Sequence, residues 1–150
     1  MSLLRVTLAG ALLALAAAST ASAALTPSSY QSQAKAICSA RNDKLAGIDV
    51  ITLAQTTSGG ARIVSESYTI DEDAYERLRA LQPPASLAAD HSAALWASWR
   101  ALTQLRKIIQ LPGGGTAKTA QTRAAWNTYR TLYAAVTVDW KRLGVPDCEA

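Results

Sequence analysis

The spacing of the apolar residues most restricts what this chain can fold into. Beyond the amino-terminal region, apolar side chains recur every three or four positions through four stretches, which the segments 56–60, 82–84 and 111–115 separate. These segments are rich in glycine or proline, which break regular structure. The period is that of an α-helix, and no stretch alternates as a strand does. The pattern predicts an all-α, antiparallel, up-down-up-down four-helix bundle with short connections.

Each predicted helix has one apolar face. Members of the four faces are, in order, Tyr30, Ala34, Ile37, Leu45 and Ile48; Ile63, Val64, Ile70, Ala74 and Leu78; Leu87, His91, Ala94, Leu102 and Leu105; and Trp126, Tyr129, Tyr133, Val136 and Trp140. Segment 69–72 has the form of a capping box, which indicates that the second helix starts late or is broken near Tyr68. The alternative is a helix that continues through this segment.

The amino-terminal residues have the pattern of a targeting segment. One base, Arg5, precedes the apolar run 6–18, and 21–23 reads Ala-Ser-Ala, a small-residue cleavage signal. The run is too short to span a bilayer, which takes about 20 apolar residues. We therefore predict a signal peptide at 1–23 that is removed, and a single domain at 24–150. Export to the periplasm, cell envelope or medium is expected, without a lipid anchor, because no cysteine follows the cleavage point.

The two cysteines, Cys38 and Cys148, are expected to form one disulfide, since an isolated pair in an oxidising compartment most simply does so. No CxxC motif is present to favour a redox role. Gly144 is expected to end the fourth helix, and Pro146 prevents its continuation. In the predicted topology the chain then turns back onto the early turns of the first helix, so the disulfide joins the two ends of the bundle.

The charges argue against nucleic-acid and membrane-surface roles. The formal net charge is +4, yet the bases are interleaved with acids and form no run. After cleavage the mature chain is also expected to have no transmembrane segment.

Three segments, AKAICSARNDKLAGI, RLRALQPPASLAADHSAAL and WKRLGVPDC, resemble a pattern in small exported bacterial, alanine-rich helical-bundle proteins of unknown function. The shared features are an early cysteine, Leu-x-x-Leu-x-Pro-Pro and a terminal Leu-Gly-x-x-x-Cys. The resemblance implies a helical bundle with paired cysteines and implies no activity.

Arg41, Asp71 and His91 interrupt apolar faces and form a candidate internal polar site. A buried guanidinium needs a partner, so Arg41 pairs with Asp71 or has its head group at the surface; alternatively, it faces a pocket and binds an anionic ligand. His91 is the only histidine. It is either a packed core residue or a ligand-contacting one, and metal sites usually need three or four ligands.

No catalytic motif is present, so we expect no enzyme, no cofactor and no metal. GxSxG is absent. The acidic cluster Asp71, Glu72, Asp73 and Glu76 offers an acid–base alternative, but acids in the first turns of a helix also complement its dipole.

Trp96 is the leading functional candidate because it points away from the apolar face of the third helix, whereas Trp99 only flanks that face. Arg100, Thr103 and Lys107 share the outer side. Trp96, Arg100 and Lys107 therefore form a candidate contact face, unless the tryptophan lies flat on its own helix or is covered. The function expected is non-catalytic binding of a protein partner; the alternative is a carrier of a small apolar or anionic ligand inside the bundle.

Overall fold

A computed structural model of the chain describes residues 25–54 and 58–148; the predicted signal peptide at 1–23 lies outside them. The helices are α1 (Pro27–Ala46), α2 (Val50–Ala54), α3 (Gly59–Arg79), α4 (Ala88–Gln110) and α5 (Ala120–Arg142), with 3-10 turns at Ala85–Leu87 and Pro146–Cys148. The described part contains no strand, and its four long helices pack against one another, which confirms the predicted fold class. No described helix is long and apolar enough to cross a bilayer.

Side-chain capping marks the starts of α1 and α5. Thr26 precedes α1 and accepts a hydrogen bond from the Ser29 amide at 3.2 Å, and Pro27 occupies the first turn, where its missing N–H costs nothing. Thr119 and Thr122 form a reciprocal capping box at the start of α5. α3 runs unbroken from Gly59 through Tyr68, so the sequence 69–72 does not start a new helix there.

The core lies where the four long helices meet. Trp140 and Tyr30 are its largest fully buried side chains. Small residues on α1 and α4, among them Ala34, Ala94 and Ala101, are also buried and let the helices approach closely. A second cluster of Val64, Leu105 and Ile108 extends the core toward the loop between α4 and α5.

Two glycine segments that separate predicted helices also touch each other. A Cβ at Gly60 would lie 2.5 Å from the Gly115 carbonyl oxygen, and one at Gly115 would lie 2.0 Å from the Ala61 nitrogen. The indole N–H of Trp126 donates to the Gly114 carbonyl oxygen at 3.0 Å. The α4–α5 loop is thus held between the start of α3 and the side of α5.

The carboxy-terminal end of α5 is closed as the sequence indicates. Gly144 has a φ of 74°, its amide donates to the Lys141 carbonyl at 2.9 Å, and the Val145 amide donates to the Trp140 carbonyl at 3.1 Å. This is a Schellman motif, which satisfies carbonyls at the helix end and reverses the chain. Val145 is then fully buried.

The reversed chain lies along α1. Gln31 donates to the Leu143 carbonyl at 3.0 Å, Asn42 donates to the Asp147 carbonyl at 2.8 Å, and Cys38 is bonded to Cys148 with a Cα–Cα distance of 4.9 Å. The predicted disulfide is therefore present in the fold. Its position on α1 corrects the expectation, since Cys38 lies past the middle of α1 rather than in its early turns.

Candidate functional site

Trp96 and Trp99 form a stacked pair on the outside of α4. Their ring centroids are 4.8 Å apart and the planes differ by 18°. The exposed fractions are 59% for Trp96 and 44% for Trp99. One ring face of Trp96 therefore packs against the ring of Trp99 on the same helix, while the residue as a whole stays exposed to solvent.

Arg100 and Lys107 extend this surface along α4. Both are exposed, and Thr103 between them is half-buried. Among the residues that the structure describes, neither base forms an ion pair or a side-chain hydrogen bond. The structure thus puts Trp96, Arg100 and Lys107 on one continuous outer face, which we call the α4 face together with Trp99.

A groove of about 230 Å³ runs between α3 and α4 beside Trp99. Its apolar wall consists of Tyr75, Trp99 and Leu102. Sequence reasoning missed this groove because it depends on how two helices pack. The spacing of three between Trp96 and Trp99 was the available signal that the two rings are neighbours.

The rim of the groove carries paired charges. Arg106 contacts the Glu72 carboxylate at 2.8 Å, donates to the Tyr68 hydroxyl and lies over the Tyr68 ring at 5.2 Å from its centroid. Arg79 lies 3.6 Å from the Glu76 carboxylate. The charges at the rim therefore compensate one another, unlike those on the α4 face.

The acidic cluster is accounted for by ion pairs. Asp71 pairs with Arg41, and Asp73 pairs with Lys44 at 2.9 Å, while Glu72 and Glu76 belong to the groove rim. α3 begins at Gly59, so these acids lie in its later turns. The explanation by the dipole of a helix amino terminus was therefore wrong; tertiary ion pairs place them.

Arg41 and Asp71 are brought together inside the bundle. The guanidinium Nε donates to the Asp71 carboxylate at 2.6 Å, and the side-chain exposures are 10% and 13%. Its other nitrogens donate to the Asn42 side-chain oxygen at 2.9 Å and to the Tyr133 hydroxyl at 3.1 Å. Arg41 thus has a protein partner for each of its three nitrogens.

Burial and charge act on this pair in opposite directions. Burial lowers the pKa of Arg41, but the charges of Asp71 and Tyr133 and the hydrogen bonds to them outweigh it and raise that pKa. Burial raises the pKa of the Asp71 carboxyl, and Arg41 offsets part of the effect. Burial likewise raises the pKa of Tyr129 nearby.

The cavity beside the pair is small. Arg41, Asp71, Tyr129 and Trp140 contribute to its lining, and its volume is about 50 Å³. That volume holds a few water molecules, whereas pockets for organic ligands usually measure about 300 Å³ or more. The internal site therefore has little room for a carried molecule.

His91 belongs to a different part of the core. Its Nδ1 lies 2.7 Å from the Tyr30 hydroxyl, and its ring packs edge-on against Trp140 with centroids 6.3 Å apart. Burial lowers the pKa of His91 and raises the pKa of Tyr30 to about 12. The predicted internal site is thus divided: Arg41 and Asp71 pair, and His91 bonds to Tyr30.

Within residues 25–54 and 58–148, no group of three histidine, cysteine, aspartate or glutamate residues lies close enough together to hold a metal ion.

The comparisons with protein-family models, curated proteins and solved structures gave no match.

Proposed function

We propose that this chain is a non-catalytic, exported binding protein of the cell envelope that captures a protein partner through the α4 face. The observation that carries the proposal is the stacked, solvent-exposed pair of Trp96 and Trp99 beside the unpaired bases Arg100 and Lys107. Tryptophan and arginine are enriched among the residues that dominate binding energy in protein interfaces. Export is supported by the composition of segment 1–23 and by the disulfide.

The internal carrier is the less favoured alternative. A cavity of about 50 Å³ has no room for an organic ligand of ordinary size. The nitrogens of Arg41 are already engaged by Asp71, Asn42 and Tyr133, so an anion would have to displace a protein partner.

The first test replaces Trp96 by alanine. The oxidised chain, its Trp96→Ala variant and a Val138→Ala control are immobilised, and each is exposed to the envelope fraction of the native host. Val138 is 55% exposed on α5, so the control removes a smaller exposed apolar group from another helix. A protein retained by the wild type is identified, purified and titrated against all three.

We expect the dissociation constant to rise at least tenfold for Trp96→Ala and to stay within twofold for Val138→Ala. The thermal midpoint of Trp96→Ala should remain near that of the wild type, because substitutions of exposed residues change stability little. Equal affinity of Trp96→Ala and wild type for every retained protein would contradict the proposed face.

A further inference from the structure

The balance of charge around the α4 face indicates the chemistry of its partner, provided that the proposed binding function holds. The exposed side of α4 carries Arg100, Arg106 and Lys107, whereas the single acid of this helix, Asp90, lies in its first turn. Glu72 from α3 compensates Arg106 at 2.8 Å. Arg100 and Lys107 keep their positive charge without a described partner, so the face attracts acidic groups and repels basic ones.

The spacing of the two bases restricts how such acids can be arranged. Arg100 and Lys107 are seven residues apart on one helix, a distance along the axis of about 10 Å. An extended chain covers that distance in about three residues, and a helix covers it in about seven. Two acids at either spacing in a partner would meet both bases at once.

The groove next to Trp99 adds an apolar wall, bordered by polar and charged side chains, to the same surface. Tyr75, Trp99 and Leu102 wall a volume of about 230 Å³, enough for one large apolar side chain. Because the rim charges compensate one another, the groove itself favours no net charge. Trp99 lines the groove and stacks on Trp96, so the groove is continuous with the α4 face.

We infer that the partner presents an acidic polypeptide segment that places one bulky apolar side chain in the groove between α3 and α4 and its carboxylates on Arg100 and Lys107. A neutral glycan would use the aromatic rings but would leave both bases without counter-charges. Nucleic-acid binding generally needs more basic side chains in a row than Arg100 and Lys107, the two on the α4 face that have no described acidic partner.

The experiment is an unbiased selection of peptides. A library of random twelve-residue peptides is displayed and selected on the oxidised full-length domain, with depletion on a Trp99→Ala variant. The enriched peptides are synthesised and their dissociation constants are measured at low and high sodium chloride. A glycan array is probed in parallel with the wild type and with Trp99→Ala.

We expect the enriched peptides to have a net negative charge and one bulky apolar residue. The double variant Arg100→Glu/Lys107→Glu should weaken their binding at least tenfold, and high salt should weaken binding to the wild type because it screens exposed charges. The control is Arg77→Glu. Arg77 lies on α3 about 140° around the helix from Glu72 and should leave the dissociation constant within twofold.

Three outcomes would overturn the inference: selected peptides without net negative charge, no peptide whose binding depends on Trp99, or Trp99-dependent binding of a glycan instead. Capture of a host protein that depends on Trp96 but is unchanged by Arg100→Glu/Lys107→Glu would refute the acidic segment and leave the proposed function standing. Capture that is also independent of Trp96 would refute both the acidic segment and the proposed function.

Discussion

His91 and Tyr30 show how one hydrogen bond maintains a polar pair in an alanine-rich core. Their side chains meet at 2.7 Å, and both residues are buried. Burial lowers the pKa of His91 below its ordinary value of 6.5, because the charged imidazolium loses hydration that the core does not replace. The neutral form is therefore the one that fits the fold.

This shift predicts how stability depends on pH. Between the lowered pKa of folded His91 and 6.5, the unfolded chain binds the proton more readily than the folded one. The free energy of unfolding should therefore be fully retained above pH 6.5 and fall as the pH decreases through that window, by at most about 1.4 kcal/mol per pH unit. Urea unfolding of the wild type at pH 7.5 and pH 5.5 measures the loss.

His91→Gln is the informative variant, because glutamine still accepts a hydrogen bond from Tyr30 but does not titrate. Since the sequence has one histidine, this variant should lose less stability than the wild type between the two pH values. An identical loss in both proteins would show that His91 is not responsible.

Single-residue contacts could be predicted only in part from the sequence. Arg41 and Asp71 each interrupt an apolar face, and a buried charge needs an opposite one, so their pairing was among the arrangements expected from the sequence. The contribution of Tyr133 and the pairing of His91 with Tyr30 could not be predicted, because they depend on helix rotation and rotamers that the periodicity does not specify.

At the scale of the elements, glycine interrupts the helical pattern and also allows two segments to come into close contact. The segments containing Gly60 and Gly115 interrupt the helical pattern, and this was visible in the sequence. Their close contact in space was not, because it depends on how the α4–α5 loop folds back on the start of α3. The short helix α2 was likewise not predicted, since five residues provide too little periodicity.

Gly115→Ala should therefore destabilise the fold by about 1–3 kcal/mol or more, since about 1–3 kcal/mol is the usual cost of forcing extra atoms into a packed region. A Cβ there would meet the backbone of Gly60 and Ala61 at 2.0 Å, and backbone cannot move aside as a side chain can. Chemical unfolding of the purified variant measures the change.

Gly47→Ala is the matched control. Gly47 has a φ of −76°, which alanine adopts readily, and the nearest atom to an added Cβ is 3.3 Å away. The control should change stability by less than about 1 kcal/mol. A similar effect of the two substitutions would argue against a close contact at Gly115.

At the scale of the whole molecule, the chain after α5 connects the last helix to the first. Gln31, Cys38 and Asn42 lie at spacings of seven and four along α1, and each contacts the segment 143–148. The bundle topology was predictable because four helical stretches with short connections leave few arrangements. The contact of the tail with the middle of α1 was not, because a terminal segment has no periodicity from which its path can be inferred.

The disulfide should account for a large part of the stability. Cys38 and Cys148 are separated by 110 residues, and closing a loop of that size can contribute up to about 4–5 kcal/mol by restricting the unfolded chain. The variant Cys38→Ser/Cys148→Ser should lower the free energy of unfolding by an amount within that limit, as measured by urea titration without reductant.

Reduced wild-type protein is the matched reference, since it lacks the bond but keeps both sulfur atoms. It should resemble the double-serine variant. If the oxidised wild type and the double-serine variant unfold at the same urea concentration, the bond does not stabilise the fold.

The bond between Cys38 and Cys148 also determines how the molecule would bear a mechanical load. Tension applied between residue 25 and residue 148 would pass along the first part of α1 and then directly through the sulfur atoms. Helices α2 to α5 and the α4 face would lie outside this force path. Such tension would thus load the part of α1 that holds Tyr30 and Ala34 in the core, and it would not be transmitted along the backbone of residues 39–147 until the disulfide is reduced.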